Sequence, residues 1–151
     1  MTQPTNVTIR PRHQARIVVL QALYQLDVQR EPVDANVAEI VTRLATEAEL
    51  IGDAADYAHR LATGAWAAHP RYDALIAEIS AHWELARMAV VDRNILRLAL
   101  HEISEHPDVP VRVVMDEAIE LGREFGDEHT PQFINGVLDA IWKHRNAHQA
   151  G

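Results

Sequence analysis

The sequence predicts an all-α protein of seven helices. Three observations carry that expectation. Apolar residues recur at spacings of three and four along most of the chain, as on one face of a helix. Convincing two-residue alternation, the mark of a half-buried strand, is absent. Proline, glycine and short polar residues punctuate the pattern where helices should start and stop. At 151 residues the chain suits one domain, or one with two small lobes, and is long enough to bury a sizeable core.

The elements follow in order. Over residues 12–28 the stripe Ala15, Val19, Ala22, Leu23 and Leu26 predicts a first helix, and Pro32 ends the turn after it. Val37, Ile40, Val41, Leu44 and Ala48 form a second stripe. Gly52 marks a break, and Asp53 is placed to cap a third helix carrying Tyr57, Ala58, Leu61 and Ala65. Pro70 restarts the chain into a fourth, with Tyr72, Leu75, Ile76 and Ile79. The pattern loosens over residues 82–90, so a connection is expected there. A fifth helix follows at 91–104 with Val91, Ile95, Leu98 and Ala99. HPDVPV separates it from a sixth, with Pro110 expected in the first turn and Gly126 as the C-terminal cap. Thr130-Pro131 then starts the last helix as cap and first residue.

Composition removes several function classes. The chain has no cysteine, which excludes disulfides and thiolate metal sites. It lacks both the apolar core of a signal peptide at its start and the ~18-residue apolar run of a membrane span, so a soluble protein is expected. Net charge is −8, an unpromising total for a nucleic-acid binder. The distribution is uneven, however: residues 1–26 hold Arg10, Arg12 and Arg16 and no acid, while the remainder holds 11 basic and 22 acidic residues. A basic N-terminal patch on an acidic body suits a molecule with one face for an anion and another for a cation, or simply a solvated tail on an acidic domain.

No catalytic constellation emerges. HEISEH, residues 101–106, carries one residue too many for the H-E-x-x-H zinc signature, so His101 and His106 are expected to point to different sides of a helix and not to share a zinc. His144 and His148 have a four-residue spacing but no third ligand, so no metal site is assigned. Gly126 and Gly136 make no phosphate-binding loop, and the adjacent acids Asp116 and Glu117 face different directions on a helix.

Three segments together resemble the NusB family of transcription antitermination factors: ARIVVLQALYQLD (15–27), VDRNILRLALHEISEHPDVPVRVVMDEAIELGREFG (91–126) and FGDEHTPQFINGVLDAI (125–141). Residues from about 30 to 80 match only as generic amphipathic helix. The resemblance implies two small helical sub-bundles, with residues 1–9 a flexible tail and 10–148 a single RNA-binding domain. It implies binding of boxA-type single-stranded RNA in ribosomal RNA transcripts, together with the ribosomal protein NusE. The setting is the transcription elongation complex in the cytoplasm, where such factors aid read-through and ribosomal RNA synthesis. It implies no catalysis and no cofactor, and leaves monomer and homodimer both open.

Carried onto this chain, the resemblance assigns Arg10, Arg12, His13 and Arg16 to phosphates and Tyr24 and Phe133 to unstacked bases. Pro11 and Gln14 stand where relatives carry arginines or small residues. Either aromatic could equally serve packing. The loop before the last helix borders the RNA site in the family, which adds His129, Thr130 and Gln132. There His129 replaces a frequent acid, and free N–H groups at the helix start are expected to favour an anion. Arm and loop are expected to close on one strand from two sides. The NusE surface is expected around the start of the fifth helix, at Asp92 and, more weakly, Glu84. Asp92 also reads as a plain first-turn acid. The rival reading is a helical scaffold for NusE with little RNA affinity of its own. A methyltransferase relationship, known for NusB-like modules, would need a cofactor-binding α/β domain and a catalytic cysteine.

Overall fold

The computed structural model describes residues 4–80 and 88–150, with side chains over 11–80 and 88–145. Every regular element among these is a helix: α1 (Pro4–Val28), α2 (Val37–Glu47), α3 (Gly52–Ala67), α4 (His69–Ile79), α5 (Val90–Glu105), α6 (Val111–Phe125) and α7 (Thr130–Ala150). Glu84 and most of the expected 82–90 connection lie outside the described residues, as does the side chain of Arg10. The helices divide into two compact units, Met1–Ala67 and Ala68–Gly151.

In the first unit α1 packs on α2 and α3 through the predicted stripe, with Ala15, Val19, Ala22, Leu23 and Leu26 fully buried. The helix begins at Pro4, eight residues before the expected start at residue 12, and carries Pro11 internally, where one backbone hydrogen bond is lost. The stripe marks only the part of the helix that has a partner. Asn36 caps α2 by accepting from the Glu39 N–H at 3.3 Å. Gly52, at φ +62°, is the first residue of α3, and Asp53 is a first-turn acid rather than a cap. Both α1 and α2 end without glycine. Arg30 (φ 55°) and Glu49 (φ 57°) take the left-handed position, with paired bonds Glu31 N to Leu26 O and Leu50 N to Ala45 O closing each end. Trp66 Nε1 donates to Pro32 O at 2.8 Å and ties the α1–α2 turn to α3.

The second unit is built on α5. Ile95, Leu96, Leu98 and Ala99 are buried, as are the polar Asn94, Arg97, His101 and Glu102. A helix buried this far around must pair its polar groups. Arg97 does so with a two-pronged bond to Asp73 of α4, Nε–Oδ1 and Nη2–Oδ2 each 2.8 Å, plus Asn94 Oδ1 at 2.9 Å. His101 Nδ1 lies 2.7 Å from the Tyr72 hydroxyl. The helix stops at Glu105, so His106 is no longer on the helical spiral and its ring meets His101 edge-on at 5.8 Å. The expected divergence of His101 and His106 is therefore corrected: the helix ends between them and their rings meet. Pro110 is the residue before α6 rather than part of its first turn.

Candidate nucleic-acid interface

The first unit presents its cations from α1 and α3. Arg12 and Arg16 are one turn apart on α1, facing Tyr57 of α3. The Arg12 guanidinium lies 3.8 Å above the Tyr57 ring centre, with those of Arg16 and Arg60 at 6.0 and 5.9 Å. A guanidinium over an aromatic face is held by the ring quadrupole. Arg12 and His13 are half-buried, while Arg16 is only 3% exposed. Arg16 is thus part of the packed base of the cluster and Arg12 part of its surface. Tyr24 stands 44% exposed, about 18 Å farther along α1 at 1.5 Å per residue. The sequence places Tyr57 only on the apolar stripe of α3 and gives Arg60 no role. Their three-residue spacing was visible, but nothing in the sequence aligned α3 with Arg12.

The second unit holds the loop between α6 and α7. Asp127 caps the turn into α7: its Oδ1 accepts from the backbone N–H of His129 at 2.8 Å and of Thr130 at 3.1 Å. The Thr130 hydroxyl in return accepts from the Asp127 N–H at 3.0 Å and donates to Asp92 of α5 at 2.9 Å. Thr130 is therefore not the cap that the Thr-Pro pair suggested. It is a buried tie, 1% exposed, joining loop, α7 and α5. The expected anion site at the start of α7 is corrected too. Two of its N–H groups already serve Asp127, and Pro131 has none.

Close approach makes this tie feasible. Gly126 has an extended conformation, not the left-handed one of a helix-ending glycine. A Cβ there would overlap the Thr130 side chain, and one at Gly122 would sit 3.1 Å from the Thr130 methyl. Burial pushes the Asp92 carboxyl above its ordinary range, against the lowering effect of the Thr130 hydrogen bond. The backbone N–H of His129 holds Asp127 below the usual range.

Around this frame His129 is exposed and lies 3.4 Å from Glu128. Gln132 is exposed and Phe133 half-buried. Gln132 also edges a groove of about 690 Å³ between α6 and α7, walled by Met115, Ile119, Pro131 and Trp142. No described helix is long and apolar enough to cross a membrane, and no group of three or more metal-ligating side chains occurs among the described residues.

The NusB family profile matches residues 13–143. The transcription antitermination protein NusB of Syntrophus aciditrophicus is 40% identical over 134 residues, covering 89% of this chain and 81% of the relative. That of Anaeromyxobacter sp. (strain Fw109-5) is 43% identical over 132 residues, 86% of this chain and 88% of its own. Among solved structures, T. maritima NusB superposes with a TM-score of 0.79 at 34% identity, covering 95% of this chain and 93% of that one. NusB from a crystal structure of the antitermination factors NusB and NusE in complex with dsRNA gives 0.78 at 29% identity, covering 90% and 98%. The profile spans most of the chain, a solved NusB structure superposes over nearly all of it, and the relatives are matched over most of their length: this chain belongs to the NusB family.

Proposed function

We propose that this protein is an RNA-binding transcription antitermination factor that binds boxA-type RNA of ribosomal RNA transcripts together with NusE. The observation that carries the RNA side of the reading is the arginine cluster at Tyr57, where, among the described residues, an acidic chain gathers three guanidiniums around a single ring. Relatives named transcription antitermination protein and a solved NusB–NusE–dsRNA complex support it. The role is binding, in the cytoplasm and within the transcription elongation complex, with no catalytic step. Residues 10–148 act as the RNA-binding domain, with 1–9 as its tail.

The two units contribute differently. Arg12, with Arg10 and His13 beside it, meets phosphates, and Arg16 braces the cluster from beneath. Tyr24 offers a face for a base. On the other unit Gln132, Phe133 and His129 read bases, and Thr130 holds their loop in shape. Asp92, only partly buried, offers its remaining carboxylate edge to a cation of NusE near the start of α5, with Glu84 as the weaker contact. Electrostatic complementarity of that kind acts mostly on the rate and orientation of docking.

Titration of a single-stranded boxA oligonucleotide at several salt concentrations, with and without NusE, tests the reading. Three phosphate contacts on a single strand give a log–log slope of roughly −2. The rival scaffold reading predicts NusE binding with no sequence-dependent RNA binding even in the NusE complex. Sedimentation of the free protein and of the RNA complex distinguishes monomer from homodimer.

A further inference from the structure

The cation cluster has a member that belongs to neither the N-terminal arm nor the loop. Arg60 sits on α3 three residues after Tyr57, is exposed, and brings its guanidinium to 5.9 Å from the Tyr57 ring centre. Arg12 covers the same ring from α1 at 3.8 Å. Among the described residues neither Arg12 nor Arg60 is paired with a carboxylate. For Arg60 this is informative, because Asp56 lies four residues earlier on the same helix. That spacing suits an ion pair, and none forms. Two unneutralised guanidiniums, with Arg16 below at 6.0 Å, thus gather at one ring within a Debye length of ~8–10 Å. Like charges at that range repel, and a bound anion removes the cost. Planar guanidiniums fixed by stacking are also preorganised to grip phosphate oxygens two at a time.

We infer that Arg60 of α3 is a further phosphate-binding residue, which with Arg12 and the Tyr57 platform forms a two-helix clamp on the RNA backbone. The inference rests on the RNA reading above and adds to it a contact from a helix that the sequence motifs do not reach. It also explains how a chain with Pro11 and Gln14 in its arm keeps a phosphate site: the second cation comes from α3.

The test is fluorescence anisotropy with a labelled single-stranded boxA oligonucleotide and the full chain. Wild type is compared with Arg60→Ala, Arg60→Lys and, as an equal charge change elsewhere in the same unit, Arg43→Ala, each variant's folding checked by circular dichroism. One lost phosphate contact should flatten the log–log salt slope by about 0.7 and weaken binding about fivefold at 0.1 M salt. Arg60→Lys should recover part of that affinity, since it keeps the charge but not the two-pronged geometry. Arg43→Ala should leave the slope unchanged, because its side chain is engaged with Gln25 at 2.5 Å and Glu47 at 3.5 Å. A wild type that binds RNA while Arg60→Ala matches it in affinity and slope overturns the clamp and spares the proposed function. A wild type that binds no RNA overturns both.

Discussion

Replacing Thr130 with valine keeps the shape of the side chain and removes only its hydroxyl, and the structure says what that hydroxyl does. It donates to Asp92 Oδ1 at 2.9 Å and accepts from the Asp127 N–H at 3.0 Å. The second bond is cheap to lose because Asp127 is exposed and water can replace Thr130 there. The first is not, since Asp92 is half-buried and its carboxylate would keep its charge without this donor. A hydrogen bond to a charged group contributes about 1.5–3 kcal/mol, so Thr130→Val should cost about 2 kcal/mol. For a chain of this length that is a fall in Tm of about 4–8 °C. Thermal denaturation of the single variants Thr130→Val and Asp92→Ala and of the double variant measures the coupling, expected at about 1–2 kcal/mol. The charge provides an independent check. The Thr130 bond lowers the Asp92 pKa against the raising effect of burial, so valine should move the Asp92 titration upward, as followed by NMR. The valine penalty should also fade as the pH falls and Asp92 protonates. Single losses that add to within ~0.5 kcal/mol, or an Asp92 titration that does not rise, would refute the tie.

The rest of the fold gives three further expectations. Asp73→Ala leaves the guanidinium of Arg97, a residue 5% exposed, without its two-pronged partner and should cost about 3–5 kcal/mol; urea denaturation measures it, and a loss below 1 kcal/mol would contradict the packing described for α5. Glu49→Gly relieves a left-handed side chain at the end of α2 and should stabilise by roughly 0.5–1 kcal/mol, unlike the same change at helical Glu47, which should destabilise. Burial, and then the neighbouring His106, lower the His101 pKa from 6.5 to about 4. The unfolded chain therefore takes the proton first as pH falls. Stability present above pH 6.5 should decline between 6.5 and 4, by roughly 2 kcal/mol once solvent screening is allowed for, and the Tm of His101→Gln should fall less over the same window.

Much of the fold was legible because helical periodicity records burial directly. The stripe from Ala15 to Leu26 is buried in the structure, as is the Ile95–Leu98–Ala99 face of α5. The errors lie at helix ends, where a few hydrogen bonds decide the outcome and several polar residues compete for the same role. Thr130 and Asp127 could each cap α7. Asp127 takes the backbone donors because Thr130 is drawn inward, where Asp92, 38 positions earlier, accepts its proton. No local pattern carries that choice. The sequence suggests Gly126 as a C-terminal cap, whereas the structure needs this glycine for space. The arginines Arg12 and Arg16 were legible as charges, but only the pairing of α1 with α3 separates the one on the surface from the one beneath it. The same pairing brings in Arg60, whose sequence neighbours Asp56 and His59 give no hint of a phosphate site.

On the proposed function, how an acidic protein handles RNA follows from where its charges stand. Residues 1–67 hold six arginines against eight acids, whereas residues 68–151 hold eight basic residues against fourteen acids. The loop before α7 concentrates the acidity in Asp127 and Glu128, with Asp92 just behind it, and its backbone donors are spent on Asp127. A phosphate approaching that loop meets carboxylates and few free donors. On the proposed function, favourable contact there comes from groups that do not care about phosphate charge: the amide of Gln132, the ring of Phe133 and the imidazole of His129, offered to base edges and base faces. Cation contacts to phosphate supply affinity and salt dependence but little sequence information, and base contacts the reverse. On the proposed function, the acidity of the second unit is therefore no argument against RNA. On that reading it disfavours indiscriminate contact with the phosphate backbone and leaves the contacts of this unit to bases.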